Sequence, residues 1–279
     1  MSSVRLAADI LTSINIDIRP EPFFIATIPV DRLSFEEAVA YVMKRLTETR
    51  QERPLRIAGA NAHVATLAER NATFAEAMTS ADLCFPDGIS VVLASRILKR
   101  PIPGRIPLGE LMERLCAESA KHGLSVFFLG GLPGAAEKAA DILKSRYPGL
   151  RFAGTYCPPY MFEEDAAEME HVRRMIAETA PDLLFVALGA PRQEIWIWRH
   201  CETMPIGAVM PVGAGFDTTA GLRKRAPVWA QKSGTEWLYR LLMEPRRLWR
   251  RYLIGNIQFV YLVYKAWLTQ KTKGARNPM

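Results

Sequence analysis

Six short apolar segments constrain the fold of this 279-residue chain, because each ends in a loop of small residues and leads toward a helical pattern. They are LRIAGAN (55–61), DLCFPDG (82–88), LSVFFLGG (124–131), RFAGTY (151–156), DLLFVALGAP (182–191) and AVMPVGAGFD (208–217). Strands that alternate with helices are typical of an α/β fold with a mainly parallel sheet. The sequence therefore predicts a Rossmann-like core with helices on both faces, whose ligands bind beyond the carboxyl ends of the strands.

The chain divides into three parts by sequence character. Residues 1–22 are predicted to form an N-terminal leader, and residues 23–221 contain all the predicted strands. Near the start of this core, Ser34 and Glu37 have the spacing of a capping box at a helix N-terminus. No strand pattern follows the core, so residues 222–279 are predicted to form a helical appendage.

Positive charge is concentrated in the appendage. From Leu222 onward there are thirteen Lys or Arg residues and two acidic residues, a net charge of +11. Since the whole chain carries +7, the first 221 residues carry −4. Such an asymmetry indicates an anionic partner for the appendage, either a nucleic acid or a membrane surface.

Apolar residues recur along the appendage at helical spacing. They are Trp249, Leu253, Ile257, Val260, Tyr264 and Trp267. Such a stripe either packs on the protein's own core or lies on a membrane surface, and the surrounding basic charge favours the membrane. The longest apolar stretch, about a dozen residues that include a lysine, is too short to span a bilayer. Four cysteines without C-x-x-C spacing, and no signal-peptide pattern, predict a cytoplasmic location.

One acidic residue, Asp87 in FPDGIS, lies between a predicted strand and a predicted helix. A carboxylate at that edge of the sheet can take a proton from an attacking hydroxyl as a general base. An Asp before Gly is also common as a helix N-cap or a turn residue. The residue pattern alone leaves both interpretations open.

Other loops at the same edge carry groups that suit a ligand. Asn61 can bind a sugar or phosphate oxygen, or cap a helix. Gly130 and Gly131 belong to the loop GGLPGAA (130–136), which opens a helix and whose free backbone N–H groups suit a diphosphate. In LGAPRQEIW, Gly189 lets the backbone approach a ligand, and the amide of Gln193 can both donate and accept hydrogen bonds.

Asp217, in VGAGFDTTAG, is the last candidate binding residue on these loops. The sequence contains no D-x-D pair, no Walker A motif, no G-x-S-x-G and no dinucleotide fingerprint. No His lies at metal-ligand spacing either. The sequence therefore predicts neither a bound metal nor a cofactor.

Eight stretches carry a resemblance to a known family, in order from residue 61 to residue 253. They are NAHVATLA (61–68), ADLCFPDGISVV (81–92), RIPLG (105–109), FFLGGLPGAAEKAADIL (127–143), RYPGLRFAGTY (146–156), PDLLFVALGAPRQEIW (181–196), VGAGFDTTAG (212–221) and RAPVWAQKSGTEWLYRLLMEPRRLWRRYL (225–253). Together they resemble the WecG/TagA/CpsF glycosyltransferases, also called glycosyltransferase family 26.

The resemblance implies an inverting, metal-independent transfer of a hexose or N-acetylhexosamine. The donor is a UDP-sugar, and the acceptor is a sugar on a polyprenyl diphosphate used for bacterial exopolysaccharide or cell-surface glycan. The family's appendage docks on the membrane, which implies a peripheral protein on the inner face of the plasma membrane. Membership of this family is compatible with a homo-oligomer.

The same resemblance implies roles for individual residues. Asp87 corresponds to the catalytic base, Asn61 and Gln193 to groups that contact the sugar or position the acceptor, and Arg105 to a group near the donor phosphates. The arginines that hold the lipid diphosphate correspond to Arg240, Arg247 and Arg250. Guanidinium groups suit this role because they bind phosphate oxygens in pairs.

Two positions depart from the family pattern and leave the donor sugar open. Gly59 stands where the family often has Thr, and Glu110 stands where it usually has Asp. The donor is then either N-acetylmannosamine or another hexose such as glucose.

Two other classes of protein compete with the transferase. One is a nucleic-acid or anionic-membrane binding protein with a Rossmann-like core. The other is a nucleotide-dependent oxidoreductase, which the missing dinucleotide fingerprint argues against. The transferase reading predicts no nucleic-acid partner, since the apolar stripe suits lipid better than a polyanion.

Overall fold

Eight strands lie in the part of the chain that this computed structural model describes, which is residues 21–48, 52–224, 226–227, 229–230 and 235–274. They are β1 (Phe23–Ile25), β2 (Ile28–Val30), β3 (Leu55–Ala60), β4 (Leu83–Pro86), β5 (Ser125–Gly130), β6 (Arg151–Tyr156), β7 (Leu183–Ala187) and β8 (Ala208–Pro211). β1 and β2 form an antiparallel hairpin, and the other six strands form one parallel sheet in the order β4-β3-β8-β7-β5-β6. The predicted α/β fold and all six predicted strands are confirmed.

Most strands of the sheet are rich in apolar residues because they are covered on both faces. Every residue of β3, β4, β5, β7 and β8 is buried. The edge strand β6 is largely half-buried. Parallel strands buried on both sides need apolar side chains in both directions, so their sequences do not alternate.

Helices enclose the sheet. They are α1 (Phe35–Thr47), α2 (Ala62–Ala68), α3 (Ala72–Thr79), α4 (Ile89–Ile97), α5 (Leu108–His122), α6 (Ala135–Arg146), α7 (Ala166–Thr179), α8 (Arg192–His200), α9 (Gly215–Thr219), α10 (Glu236–Met243), α11 (Pro245–Trp249), a π-helical segment (Arg250–Ile254) and α12 (Gly255–Gly274). The predicted capping box is confirmed at α1: the Glu37 N–H donates to Ser34 Oγ (3.3 Å), and the Ser34 N–H donates to Glu37 Oε2 (2.7 Å).

Successive residues of a strand enter cores on opposite faces of the sheet. In β5, Phe128 packs in a cluster with residues of α1, α5 and α6, whereas Phe127 packs with residues of α7 and α8. A third cluster joins the hairpin, α2, α3 and α4. Helices therefore lie on both faces, as predicted.

Asp31 attaches the hairpin to β4, the first strand of the parallel sheet. Its backbone N–H donates to the Cys84 carbonyl (2.8 Å), and its fully buried carboxylate accepts from the Cys84 N–H (2.6 Å). We expect Asp31→Leu to lower the free energy of unfolding by about 1–3 kcal/mol, because the buried Cys84 N–H loses its acceptor. Asp31→Asn keeps an acceptor oxygen and should lower it less. Denaturant titrations that rank the two variants equally would contradict this assignment.

The last helix, α12, packs on the core along one side only. Phe259 and Val263 are buried in the cluster formed by the hairpin, α2, α3 and α4. Five residues of the predicted stripe lie elsewhere on the helical surface and are exposed: Trp249 (43%), Leu253 (52%), Ile257 (72%), Val260 (66%) and Tyr264 (53%). The sixth, Trp267, is half-buried and packs against the same cluster as Phe259 and Val263. The segment thus packs on the core mainly with residues outside the stripe, and Trp267 is the stripe residue that also contacts the core. None of the described helices is long and apolar enough to cross a membrane.

Candidate active site

The carboxyl ends of the parallel strands bring the predicted loop residues to one edge of the sheet. Asn61 follows β3, Asp87 follows β4, and Gln193 lies in the first turn of α8 after β7. In the sheet, β3 lies between β4 and β8, and β7 lies on the other side of β8. Residues more than a hundred positions apart in sequence therefore lie along the same edge.

Both carboxylate oxygens of Asp87 are held by other loops of this edge. Oδ2 accepts from Asn61 Nδ2 (3.1 Å), and Oδ1 accepts from the backbone N–H of Leu108, the first residue of α5 (3.1 Å). The side chain is half-buried. The helix that follows Asp87 is capped at Gly88 without a side-chain hydrogen bond, so Asp87 is not the N-cap of that helix.

Asn61 caps a helix and also orients Asp87. Its Oδ1 accepts from the Val64 N–H at the start of α2 (3.0 Å), while its Nδ2 donates to Asp87. The capping bond identifies which end of the amide is oxygen, because only the oxygen can accept from a backbone N–H. Asn61 therefore presents a fixed donor to the Asp87 carboxylate.

The amide of Gln193 joins the loops after β7 and β8. Its Oε1 accepts from the N–H of Gly189 (3.1 Å) and from the N–H of Gly213 (3.3 Å). Gly189 has a left-handed backbone (φ +77°), a conformation that favours glycine. The Gln193 side chain is buried, so it fixes the shape of this part of the edge.

Glu194, the hydrogen-bond partner of Gln193, was not selected from the sequence, because a Glu in the first turn of a helix is explained by the helix dipole alone. The side chain is buried, and its Oε1 accepts from Gln193 Nε2 (2.8 Å). Burial raises the pKa of the Glu194 carboxyl to about 7; the Gln193 hydrogen bond opposes this shift, and the charge of Asp87 adds to it.

The loop after β5 approaches β7 closely. A Cβ atom at Gly130 would lie 2.6 Å from a backbone oxygen of β7. The Gly131 N–H donates to that strand (2.8 Å), and the Leu132 N–H donates to Asp217 Oδ1 (3.0 Å). Asp217 is buried and also pairs with Arg223 (3.1 Å). Asp217 thus connects two loops. The N–H groups of Gly131 and Leu132, which belong to the loop predicted to bind a diphosphate, already have acceptors within the protein.

Arg105 connects the core to the appendage. Its Nη1 lies 3.1 Å from Glu236 Oε2 at the start of α10, and its Nη2 lies 3.9 Å from Glu110. The next residue, Ile106, donates its N–H to the carbonyl of Pro86 at the end of β4 (2.7 Å). The appendage therefore reaches the same edge of the sheet as Asp87.

The three arginines assigned to a lipid diphosphate lie on the appendage helices. Arg240 belongs to α10, Arg247 to α11, and Arg250 begins the π-helical segment. Their side chains lie outside the described part of the structure. The four cysteines are free thiols, and among the described residues no group of three His, Cys, Asp or Glu side chains is placed to hold a metal ion.

Known proteins match this chain over most of its length. A family model described as the glycosyl transferase WecG/TagA/CpsF family matches residues 23–273. An N-acetylglucosaminyldiphosphoundecaprenol N-acetyl-beta-D-mannosaminyltransferase of Bacillus spizizenii is 32% identical over 230 residues, which cover 81% of this chain and 87% of the relative. A Staphylococcus aureus (strain MW2) protein of the same name is 35% identical over 214 residues, which cover 75% and 80%.

The sequence match and the fold agree with each other. The matched range includes the parallel sheet, the loops at its carboxyl edge and the appendage helices. The protein is a glycosyltransferase, and the chain belongs to the WecG/TagA/CpsF family.

Proposed function

We propose that the protein transfers a hexose or N-acetylhexosamine from a UDP-sugar to a sugar carried on a polyprenyl diphosphate, with inversion at the anomeric carbon. The observation that carries this proposal is the Asp87 carboxylate, which is held by Asn61 and by the first N–H of α5 at the carboxyl edge of the sheet. Such a fixed, half-buried carboxylate is suited to accept a proton from an acceptor hydroxyl.

The proposed reaction is a single displacement. The acceptor oxygen bonds to the anomeric carbon from the face opposite the diphosphate while its proton passes to Asp87. The bond between the anomeric carbon and the diphosphate oxygen breaks, and UDP leaves with the bonding electrons. Asp87 acts as general base, and the neighbouring buried amide of Gln193 positions the reacting sugar.

The acceptor is proposed from the names of the relatives. Both relatives are named for transfer to N-acetylglucosaminyldiphosphoundecaprenol. A similar lipid-linked acceptor explains why a core with a Rossmann-like sheet carries a basic appendage with exposed apolar residues. Products of this kind serve bacterial exopolysaccharide or cell-surface glycan synthesis.

The donor sugar need not be the N-acetylmannosamine of the relatives' names. A Cβ atom at Gly59 would lie 2.6 Å from Leu108 Cδ1 and 3.4 Å from the Cβ atom of Asp87. Leu108 thus occupies space that a side chain at position 59 would need, right beside the proposed base. This difference in shape supports a donor pocket distinct from that of family members with Thr at this position.

The appendage is proposed to hold the protein on the inner face of the plasma membrane. Its exposed aliphatic and aromatic side chains suit the headgroup layer, and each basic residue near an anionic leaflet contributes roughly 1 kcal/mol. Arg240, Arg247 and Arg250 are proposed to bind the lipid diphosphate. Arg105, which is paired with Glu236, would bring the donor phosphates close to the same helices.

The proposal is tested with purified full-length protein and N-acetylglucosamine linked to a polyprenyl diphosphate in detergent. A panel of UDP-sugars is offered, and UDP release is followed with and without acceptor. We expect acceptor-dependent release from one donor and an inverted linkage in the product. Release that is independent of acceptor, or no release from any donor by the folded protein, would overturn the proposal.

A further inference from the structure

We propose that Glu194 is a positioning residue for this transfer: its buried carboxyl fixes the Gln193 amide, whose second N–H then serves the reacting sugar. The inference rests on the proposed function and adds a residue to its site. Glu194 does not exchange atoms with the substrate in this scheme and acts through Gln193.

The Gln193 amide has one orientation because all its contacts agree. Its oxygen accepts from two backbone N–H groups, at Gly189 (3.1 Å) and Gly213 (3.3 Å), so its nitrogen must face Glu194. One amide N–H donates to Glu194 Oε1 (2.8 Å). One hydrogen-bonding direction of the amide then remains, the second N–H, and this is the one that a substrate oxygen can use.

Glu194 is unfavourable as a purely structural residue. It is only 6% exposed, and its Oε2 is buried without a hydrogen-bond partner. A buried polar atom without a partner destabilises a fold, and an apolar side chain of similar size at the same position usually gives a more stable protein. Residues that break such a rule are concentrated at functional sites.

Two charged residues of the sheet bear on the surroundings of Glu194. The negative charge of Asp87, after β4, contributes to the raised pKa of the Glu194 carboxyl. Arg56, on β3, lines the same cavity of about 10 Å³ as Glu194, and its Nε is also buried without a hydrogen bond. Arg56 lies 3.9 Å from Asp82, so part of its charge is already balanced.

The experiment compares Glu194→Leu and Glu194→Gln with the wild-type protein. Glu194→Leu removes the partner of the Gln193 amide, and we expect kcat to fall about tenfold or more while the melting temperature stays equal or rises. Glu194→Gln keeps an oxygen that can accept from Gln193, and kcat should stay within about threefold. Ser119→Ala is the matched control, because Ser119 Oγ is likewise buried without a partner but lies in the last turn of α5, far from the edge.

Each outcome decides the inference. A Glu194→Leu protein with unchanged kcat overturns it, and so does one that loses melting temperature together with activity, since that pattern indicates a structural role. Failure of the proposed function looks different: the wild-type protein itself then shows no acceptor-dependent UDP release.

A second measurement uses the ionisation of Glu194. Because its pKa is raised to about 7 in the folded protein, the folded state keeps a proton that the unfolded state releases at lower pH. The stability that this proton provides is present at acidic pH and is lost as the pH rises through 7. Relative to Glu194→Gln, the wild-type melting temperature should therefore fall by about 5 °C between pH 5 and pH 8. A constant difference would contradict a buried, titrating carboxyl.

Discussion

Asp87→Asn is expected to lower acceptor-dependent UDP release by about 10²–10⁴-fold, the range that loss of a general base produces. The amide oxygen of the variant can still accept from the Leu108 N–H, which holds the wild-type carboxylate at 3.1 Å. The amide nitrogen then faces the Asn61 donor, so one hydrogen bond is lost, at about 1 kcal/mol of stability. Rate constants at saturating donor and a melting curve of the same sample measure both effects.

Asp82→Asn is the matched control for this variant. Asp82 lies at the amino end of β4 and pairs with Arg53 at 2.6 Å, whereas Asp87 lies at the carboxyl end of the same strand. We expect Asp82→Asn to lower the melting temperature and to change kcat by no more than about threefold, since Asp82 reaches the site only through Arg56. If Asp87→Asn retains wild-type kcat, another group must remove the proton and the proposed mechanism is wrong.

Replacement of Leu253, Ile257, Val260 and Tyr264 by Ser is expected to weaken binding to anionic vesicles at least about 100-fold, because each exposed apolar side chain contributes roughly 1 kcal/mol or more when buried. These four residues are 52–72% exposed, so the melting temperature should change little. Vesicle sedimentation measures the affinity. Transfer to an acceptor embedded in the vesicles should fall in parallel.

Val263→Ser is the control on the same helix. Val263 is 6% exposed and packs in the core, so this substitution should lower stability without changing the vesicle affinity of the folded protein. Equal vesicle binding by the fourfold variant and wild type would contradict membrane docking through this surface. Tighter binding to duplex DNA than to vesicles would favour the nucleic-acid alternative, whose salt dependence is steep.

These substitutions are a sharper test than removal of the appendage. The predicted boundary between residues 221 and 222 follows α9, but Phe259 and Val263 of α12 fill a cluster that includes the hairpin and α2. A truncated core would expose that cluster, and a loss of activity could then arise from unfolding alone. Because α12 packs in this cluster, the division into a core (residues 23–221) and an appendage (residues 222–279) stays a prediction from the sequence.

The sequence alone was sufficient to predict the sheet and the edge at which the site lies. Strands such as β5 and β7 are buried on both faces, so their apolar runs are continuous and easily distinguished from the helices between them. Because these strands are parallel, their following loops must meet at one edge. Asp87, Asn61 and Gln193 could therefore be selected from sequence, with the help of a family resemblance.

Tertiary structure alone decided which contacts those residues make. Asp87 is held by the first N–H of α5, and Glu194 is buried beside Gln193, two facts that no local pattern contains. The stripe of α12 was visible at helical spacing, yet only packing decided that Phe259 faces the core and Ile257 does not. Local sequence determines backbone periodicity and turn chemistry, whereas burial and hydrogen-bond partners depend on elements that meet only in the folded chain.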